Sequence, residues 1–248
     1  MKITIRFLVT FLFLSGFFCR AAEKTTLIFF TDSIKCPACI RLKKQVLDTP
    51  AGKKELEKFT AVITADRSRP ATMHHPFVKR IRAEFPGRIR LPHAVIVGAD
   101  GKINGRISGF MPAGIYLKEL QFYRDLPPLF QTVIRGNENE LQKIMTQKEY
   151  IKSTPLGTTA VILAIQRRRD DHFLRTLIRL SDKKTLQRQD IHLRNALHYA
   201  AETNRDTIIP LLLAAGVNSS QKDIKGDTPL SLAEKAGHKD VVKLLAAE

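Results

Sequence analysis

Apolar positions between residues 25 and 123 change period several times, and each change marks an element. "TTLIFF" (25–30) and "TAVITA" (60–65) are runs of β-branched and aromatic residues that predict strands, and "HAVIV" (93–97) predicts a buried one. Between them, "CIRLKKQVLDTPAGKKELEKF" (39–59) has helical spacing with a break at Pro50, and "PFVKRIRAEF" (76–85) is a shorter helix. "GADGK" (98–102) is a tight turn into a strand at "INGRIS" (103–108), and "PAGIYLKELQFY" (112–123) closes the run as an amphipathic helix. The predicted order is β-α-β-α-β-β-α.

After "DLPPL" (125–129) the pattern becomes helix pairs and turns only. Superimposing "GTTAVILA", "LRNALHYAA" and "GDTPLSLAEKAG" puts Val161, Leu197 and Leu230 in one frame, 36 and 33 residues apart, and Leu129 precedes Val161 by 32. A period near 33 resembles the ankyrin repeat and predicts about four copies over residues 127–248, an all-α solenoid. Thr228 and Pro229 suit the start of a helix and Gly216 suits the end of one. A "STPLG" at 153–157 is set aside, because aligning on it breaks the spacing. The first two copies are degenerate: "GTTAVILA" lacks the proline and "PPLFQTVI" the histidine. His198 of "LHYAA" occupies the position that hydrogen-bonds the turn in such repeats. The segments "SDKKTLQRQD" and "NSSQKDIK" should project as polar hairpins, and Arg167, Arg168 and Arg169, balanced by Asp170 and Asp171, read as a solvated helix end.

The first residues follow neither pattern. Lys2 and Arg6 precede an apolar run from Phe7 to Phe18, with Cys19 and Ala21 as small residues at a cleavage site; residues 1–21 are expected to be an export signal. The run is about a dozen residues, short of the ~20 that a membrane-spanning helix needs. The exported chain would be periplasmic or secreted. The formal charge is +17, and it falls to +14 without Lys2, Arg6 and Arg20. Such a charge points to acidic partners or an anionic envelope surface rather than to nucleic acid, or serves solubility alone. Loss of Cys19 leaves Cys36 and Cys39 as the remaining cysteines.

Those two stand two residues apart in "FFTDSIKCPACIRLKK", between a strand and a helix. A helix beginning beside Cys36 aims unpaired N–H groups and partial positive charge at its sulfur, and Lys35 adds a full charge. Both favour the nucleophilic thiolate. Cys39, one turn on, faces inward and can attack a mixed disulfide formed by Cys36. Pro37 suits the first turn of that helix. Two other uses of the pair stay open. A structural disulfide here would close too small a loop to stabilise much. A zinc site requires four ligands, which His74, His75 and His93 would have to complete.

The β-α-β-α-β-β-α order with CxxC after the first strand resembles the thioredoxin fold over residues 24–124, and "LDTPAGKKELEKF" and "LPHAVIVGADGKINGRISGF" are similar to its exported members. The resemblance implies thiol–disulfide exchange through Cys36 and Cys39 with a protein client and an upstream redox partner, and no cofactor. It also implies a cis proline at Pro92, with the Leu91 backbone pairing with substrate. Thioredoxin proper has Trp just before its pair and a buried Asp six residues before the first cysteine; Lys35 and Phe30 stand there instead. The sequence therefore points to an exported thiol–disulfide oxidoreductase whose repeats bind a protein. A protein-binding scaffold, or a copper carrier on the same fold, is the alternative.

Overall fold

The computed structural model describes residues 25–85, 89–146 and 152–247; the expected export signal lies outside the described residues. The N-terminal half is a four-stranded sheet of β1 (Thr26–Thr31), β2 (Ala61–Asp66), β3 (His93–Val97) and β4 (Ile103–Ser108), in the order β2-β1-β3-β4. β1 and β2 are parallel, and β3 is antiparallel to both β1 and β4. Successive side chains of a strand face opposite ways. Leu27, Phe29, Ala94, Ile96 and Ile107 therefore share one core, and Ile28, Phe30, Val95, Val97 and Ile103 share the other.

Short helices cover both faces. On the first lie α1 (Pro37–Leu42), its π-helical continuation Lys43–Leu47, and α2 (Pro50–Leu56), and the long α5 (Ala113–Arg124) packs beside them. The break expected at Pro50 is one residue earlier in origin: the Thr49 side chain caps α2 by accepting from Gly52 N, with Pro50 in the first turn. On the other face α4 (Pro76–Ala83) buries Val78 and Ile81, preceded by the four-residue α3 (Pro70–Met73), which has no periodic signal in the sequence.

The C-terminal half stacks helix pairs: α6 (Pro128–Arg135) with α7 (Glu138–Met145), α8 (Ala160–Gln166) with α9 (Asp171–Leu180), then, after a single turn α10 (Lys183–Leu186), α11 (Ala196–Glu202) with α12 (Ile209–Ala214), and α13 (Pro229–Ala236) with α14 (Lys239–Ala246). The N-caps Thr159, Asn195 and Thr228 each stand two residues before the frame residues Val161, Leu197 and Leu230. His198 joins the Asn195 cap and its Nε2 reaches the Asp227 carbonyl at 3.2 Å. Ser153 and Thr159 bridge as a small hairpin, so "STPLG" is a turn and not a helix start.

The two halves share one core. Phe122 at the end of α5 meets Phe130 of α6 edge-on, ring centroids 4.9 Å apart, and the apolar cluster runs without interruption from Leu27 to Leu245. Polar bonds cross the same junction. Arg167 Nη2 donates to the Ile103 carbonyl of β4 at 3.3 Å, Arg135 pairs with Asp100 at 3.0 Å, and Leu156 N donates to Glu119 Oε1 at 2.8 Å. This corrects the reading of residues 167–169 as a solvated helix end. Arg167 and Arg169 turn inward to carbonyls of β4 and α6, while Arg168, at φ 53°, stays exposed.

Glu119 is fully buried on α5, and burial pushes its carboxyl from the ordinary 4.5 up to about 7, against the bonds from Leu156 and Thr154. A folded pKa above the unfolded one means that the native state holds a proton which the unfolded chain has lost. Stability from this group is therefore full below about 4.5 and falls as pH rises to about 7. His93, pushed down to about 4, gives the opposite slope as pH falls from 6.5, so the two effects oppose each other in the whole protein. The Glu119 contribution is isolated by difference. Glu119→Gln should match the parent in urea unfolding at pH 4.5 and exceed it at pH 7.5 by about 1–3 kcal/mol. A second substitution tests the shared core. Phe130→Ala should cost about 3–5 kcal/mol, and probes in the sheet and in the repeats should report one transition.

Candidate functional site

The site is built on the end of β1. Strand pairing brings Thr31 beside Asp66, so both chains leave the sheet at the same edge. Asp32 Oδ1 then accepts from Ile34 N at 3.2 Å and Lys35 N at 2.8 Å, folding the chain back on itself in an Asx turn. Asp66 Oδ1 takes Ser33 N at 3.1 Å, Ser68 N at 3.0 Å and Ser68 Oγ at 2.7 Å. Burial would raise the Asp66 carboxyl, but these bonds from Ser33 and Ser68 outweigh it and hold the group down at about 2. Two buried carboxylates thus fix the loop that delivers Cys36.

Cys36 is the N-cap of α1, with Pro37 in the first turn. Its Sγ accepts from Cys39 N at 3.2 Å, and the two cysteines are joined in a disulfide with Cα atoms 5.2 Å apart. The pair is asymmetric. Cys36 is half-buried beside exposed Lys35 and Ile34, whereas Cys39 is 4 % exposed beneath it. An attacking reagent from solvent meets Cys36.

Leu91–Pro92 is a cis peptide at the head of β3. Pro92 and Cys39 line one small cavity of about 80 Å³, together with Thr31, Thr64 and Lys43. The Pro92 carbonyl accepts from Gly109 N at 2.8 Å, which lays the loop after β4 against it, and Arg41 of α1 stacks over the Phe110 ring of that loop at 5.3 Å. Cysteine helix, proline loop and the loop 109–111 therefore meet at one end of the sheet.

The histidines do not join them. His74 and His75 are exposed, and His75 Nδ1 caps α4 by accepting from Phe77 N at 3.2 Å. His93 is buried against Phe30 and Phe85, its Nδ1 2.6 Å from Ser108 Oγ; burial first, then Arg106, lowers it to about 4. Among the described residues no three His, Cys, Asp or Glu side chains gather as a metal would need. The residues that sequence reasoning passed over are Asp32 and Asp66. Their signal was local: an Asp at a strand end with a Ser one or two residues on, in "TDS" and "ADRS".

Residues 19–124 match the family described as a thioredoxin-like domain, and residues 172–248 match ankyrin repeats in three copies. A curated ankyrin repeat protein of Acanthamoeba polyphaga mimivirus is 43 % identical over 51 residues, which cover 21 % of this chain and 7 % of that protein. The chain thus spans a small part of that relative's length. The earlier helix pair α6–α7, α8 and the start of α9 lie outside the repeat match. The chain is a thioredoxin-like domain, with a CxxC pair at Cys36 and Cys39, followed by ankyrin repeats.

Proposed function

We propose that the protein is an exported thiol–disulfide oxidoreductase that exchanges disulfides with a protein client through Cys36 and Cys39, and that its repeats bind a protein. The asymmetry of the pair carries this reading: an accessible sulfur at a helix start, bonded to a buried one a single turn away. In the reduced protein the Cys36 thiolate attacks a client disulfide, forming one S–S bond and expelling a client thiolate. The Cys39 thiolate then attacks Cys36 Sγ, and the second client sulfur leaves. Two electrons have passed to the client, and the pair has become the disulfide present here; reversed, the same steps oxidise a client dithiol. An upstream partner restores the starting state.

Phe30 occupies the place where thioredoxin proper carries an acid, and both nearby carboxylates already accept several N–H bonds. The proton of Cys39 is therefore assigned to water. The 80 Å³ cavity beside it exceeds the ~10–15 Å³ that one water needs, and Thr31, Thr64 and Lys43 give it polar walls. Leu91, just before Pro92, supplies the backbone edge for an incoming segment. The reading of residues 1–21 as an export signal supports assigning this chemistry to the periplasm or the outside of the cell, where disulfides persist. There the positive charge would meet anionic envelope surfaces.

Two measurements test it. Poised against a series of glutathione redox buffers and quenched by alkylation, the pair should titrate reversibly as one two-electron couple; an irreversible disulfide, or one that no buffer reduces, refutes exchange. In the reduced protein Cys36 should alkylate at least ~10-fold faster than Cys39. Equal rates would remove the division into attacking and resolving thiols.

A further inference from the structure

β4 ends the sheet order, so among the described residues its outer edge has no strand beside it. Which backbone groups lie on that edge follows from the pairing. Gly109 donates to Pro92, so this opposed pair is a hydrogen-bonded one, and antiparallel pairs alternate. Ile107 opposite Ala94 and Gly105 opposite Ile96 then also turn toward β3, and Arg106 and Ser108 turn their N–H and C=O outward. An open edge of this kind is a template for another strand.

The edge, with Arg106 and Ser108 exposed, borders an open groove. It forms one wall of a cavity of about 460 Å³, whose other wall is the repeat half. Phe110 and Met111 line it from the sheet side, and Leu156, Ile191 and Tyr199 from the repeats. The far wall is stiff. Asp190 accepts from His192 N at 2.8 Å, Arg194 N at 3.1 Å and Tyr199 Oη, and Ile191 N donates to the Leu156 carbonyl at 3.0 Å. Arg167 holds the Ile103 carbonyl at the start of β4. The other end opens at Gly109, which lies on Pro92, and Pro92 shares the small cavity with Cys39.

We infer that this groove receives an extended segment of the client, added to β4 as a fifth strand, with its cysteine emerging at Pro92. The inference rests on the exchange reading for the identity of the segment as client, and on the geometry alone for the groove. The occupant is a polypeptide, because donors and acceptors alternating at Arg106 and Ser108 are matched by another backbone at strand spacing. Its alternate side chains are apolar, to meet Phe110, Met111 and half-exposed Ile191. The others are acidic: Arg106 lines the groove and Arg41 stacks on its Phe110, whereas the carboxylate in the groove, Asp190, is already engaged by three donors.

The probe is a fluorescent octapeptide of alternating valine and glutamate without cysteine, titrated by anisotropy into the full oxidised protein to about 1 mM, the weakest class of specific binding. Saturable binding is expected, with slowed hydrogen exchange at the Arg106 and Ser108 amides. N-methylating alternate backbone nitrogens on one edge should weaken it at least ~10-fold, because each methyl removes a strand donor. Ile191→Asp, at a half-exposed position outside the core, should weaken it similarly. No saturable binding, or equal binding by the N-methylated peptide, overturns strand addition whatever the pair does in glutathione. With a cysteine added at its end, the peptide should exchange with the pair at least ~10-fold faster than glutathione. Binding without that acceleration would separate the groove from the site, and the client assignment would fall.

Discussion

Helix α5 is buried on two sides, and the rest of the molecule depends on that. Tyr116 and Leu120 pack on the sheet with Leu27 and Ile96, while Phe122 meets Phe130 of the repeats. Each large side chain buried this way contributes about 1.5–3 kcal/mol. A helix that served the sheet alone would keep a solvated face. This one keeps only a narrow exposed strip at Lys118 and Gln121, and its Tyr123 lies so close to β4 that Gly105 must lack a side chain: a Cβ there would overlap the Tyr123 ring. The repeats are therefore a continuation of the same core, and the short junction "RDLPPL" carries apolar Leu126 within it.

Much of this was legible because both halves write their periods plainly. Strands of alternating or continuous apolar residues and a repeat near 33 residues survive in the sequence whatever the tertiary contacts are, and so do cap residues such as Thr228 and Gly216. What could not be read there is what depends on contact between halves. Arg167 looks like a surface charge in its own segment and becomes interior only because the Ile103 carbonyl lies opposite. Glu119 in "LKELQF" fits an exposed helix face equally well until Leu156 N closes over it. In the site the cysteine pair and the cis proline stand on motif, whereas the Asp32 and Asp66 supports depend on Thr31 and Asp66 being paired across 35 residues.

The polar supports do different work from the apolar ones. Burial makes the two halves adhere, but it is non-directional and leaves their relative angle loosely set. Hydrogen bonds choose the angle, and one of those that cross the junction continues through Leu156 into the repeats. Its N–H donates to Glu119 on α5 and its carbonyl accepts from Ile191 on the next hairpin tip, and His192 in turn accepts from Ile224 on the tip after that. One residue thus ties the sheet half to a ladder of tips, and the groove beside β4 takes its width from that tie.

That tie ends on a carboxyl group that titrates near neutrality, yet the geometry need not change with its charge. Leu156 N–H requires an acceptor, and Glu119 Oε1 offers one whether or not the other oxygen carries a proton. Oε2 is buried and meets no hydrogen-bond partner among the described residues, so ionisation places charge in a poorly solvated position. The cost therefore appears in the stability of the folded state rather than in the position of the loop. A groove meant to hold an acidic segment is better served by this arrangement than by a surface ion pair, because its far wall stays in place while the charge behind it comes and goes.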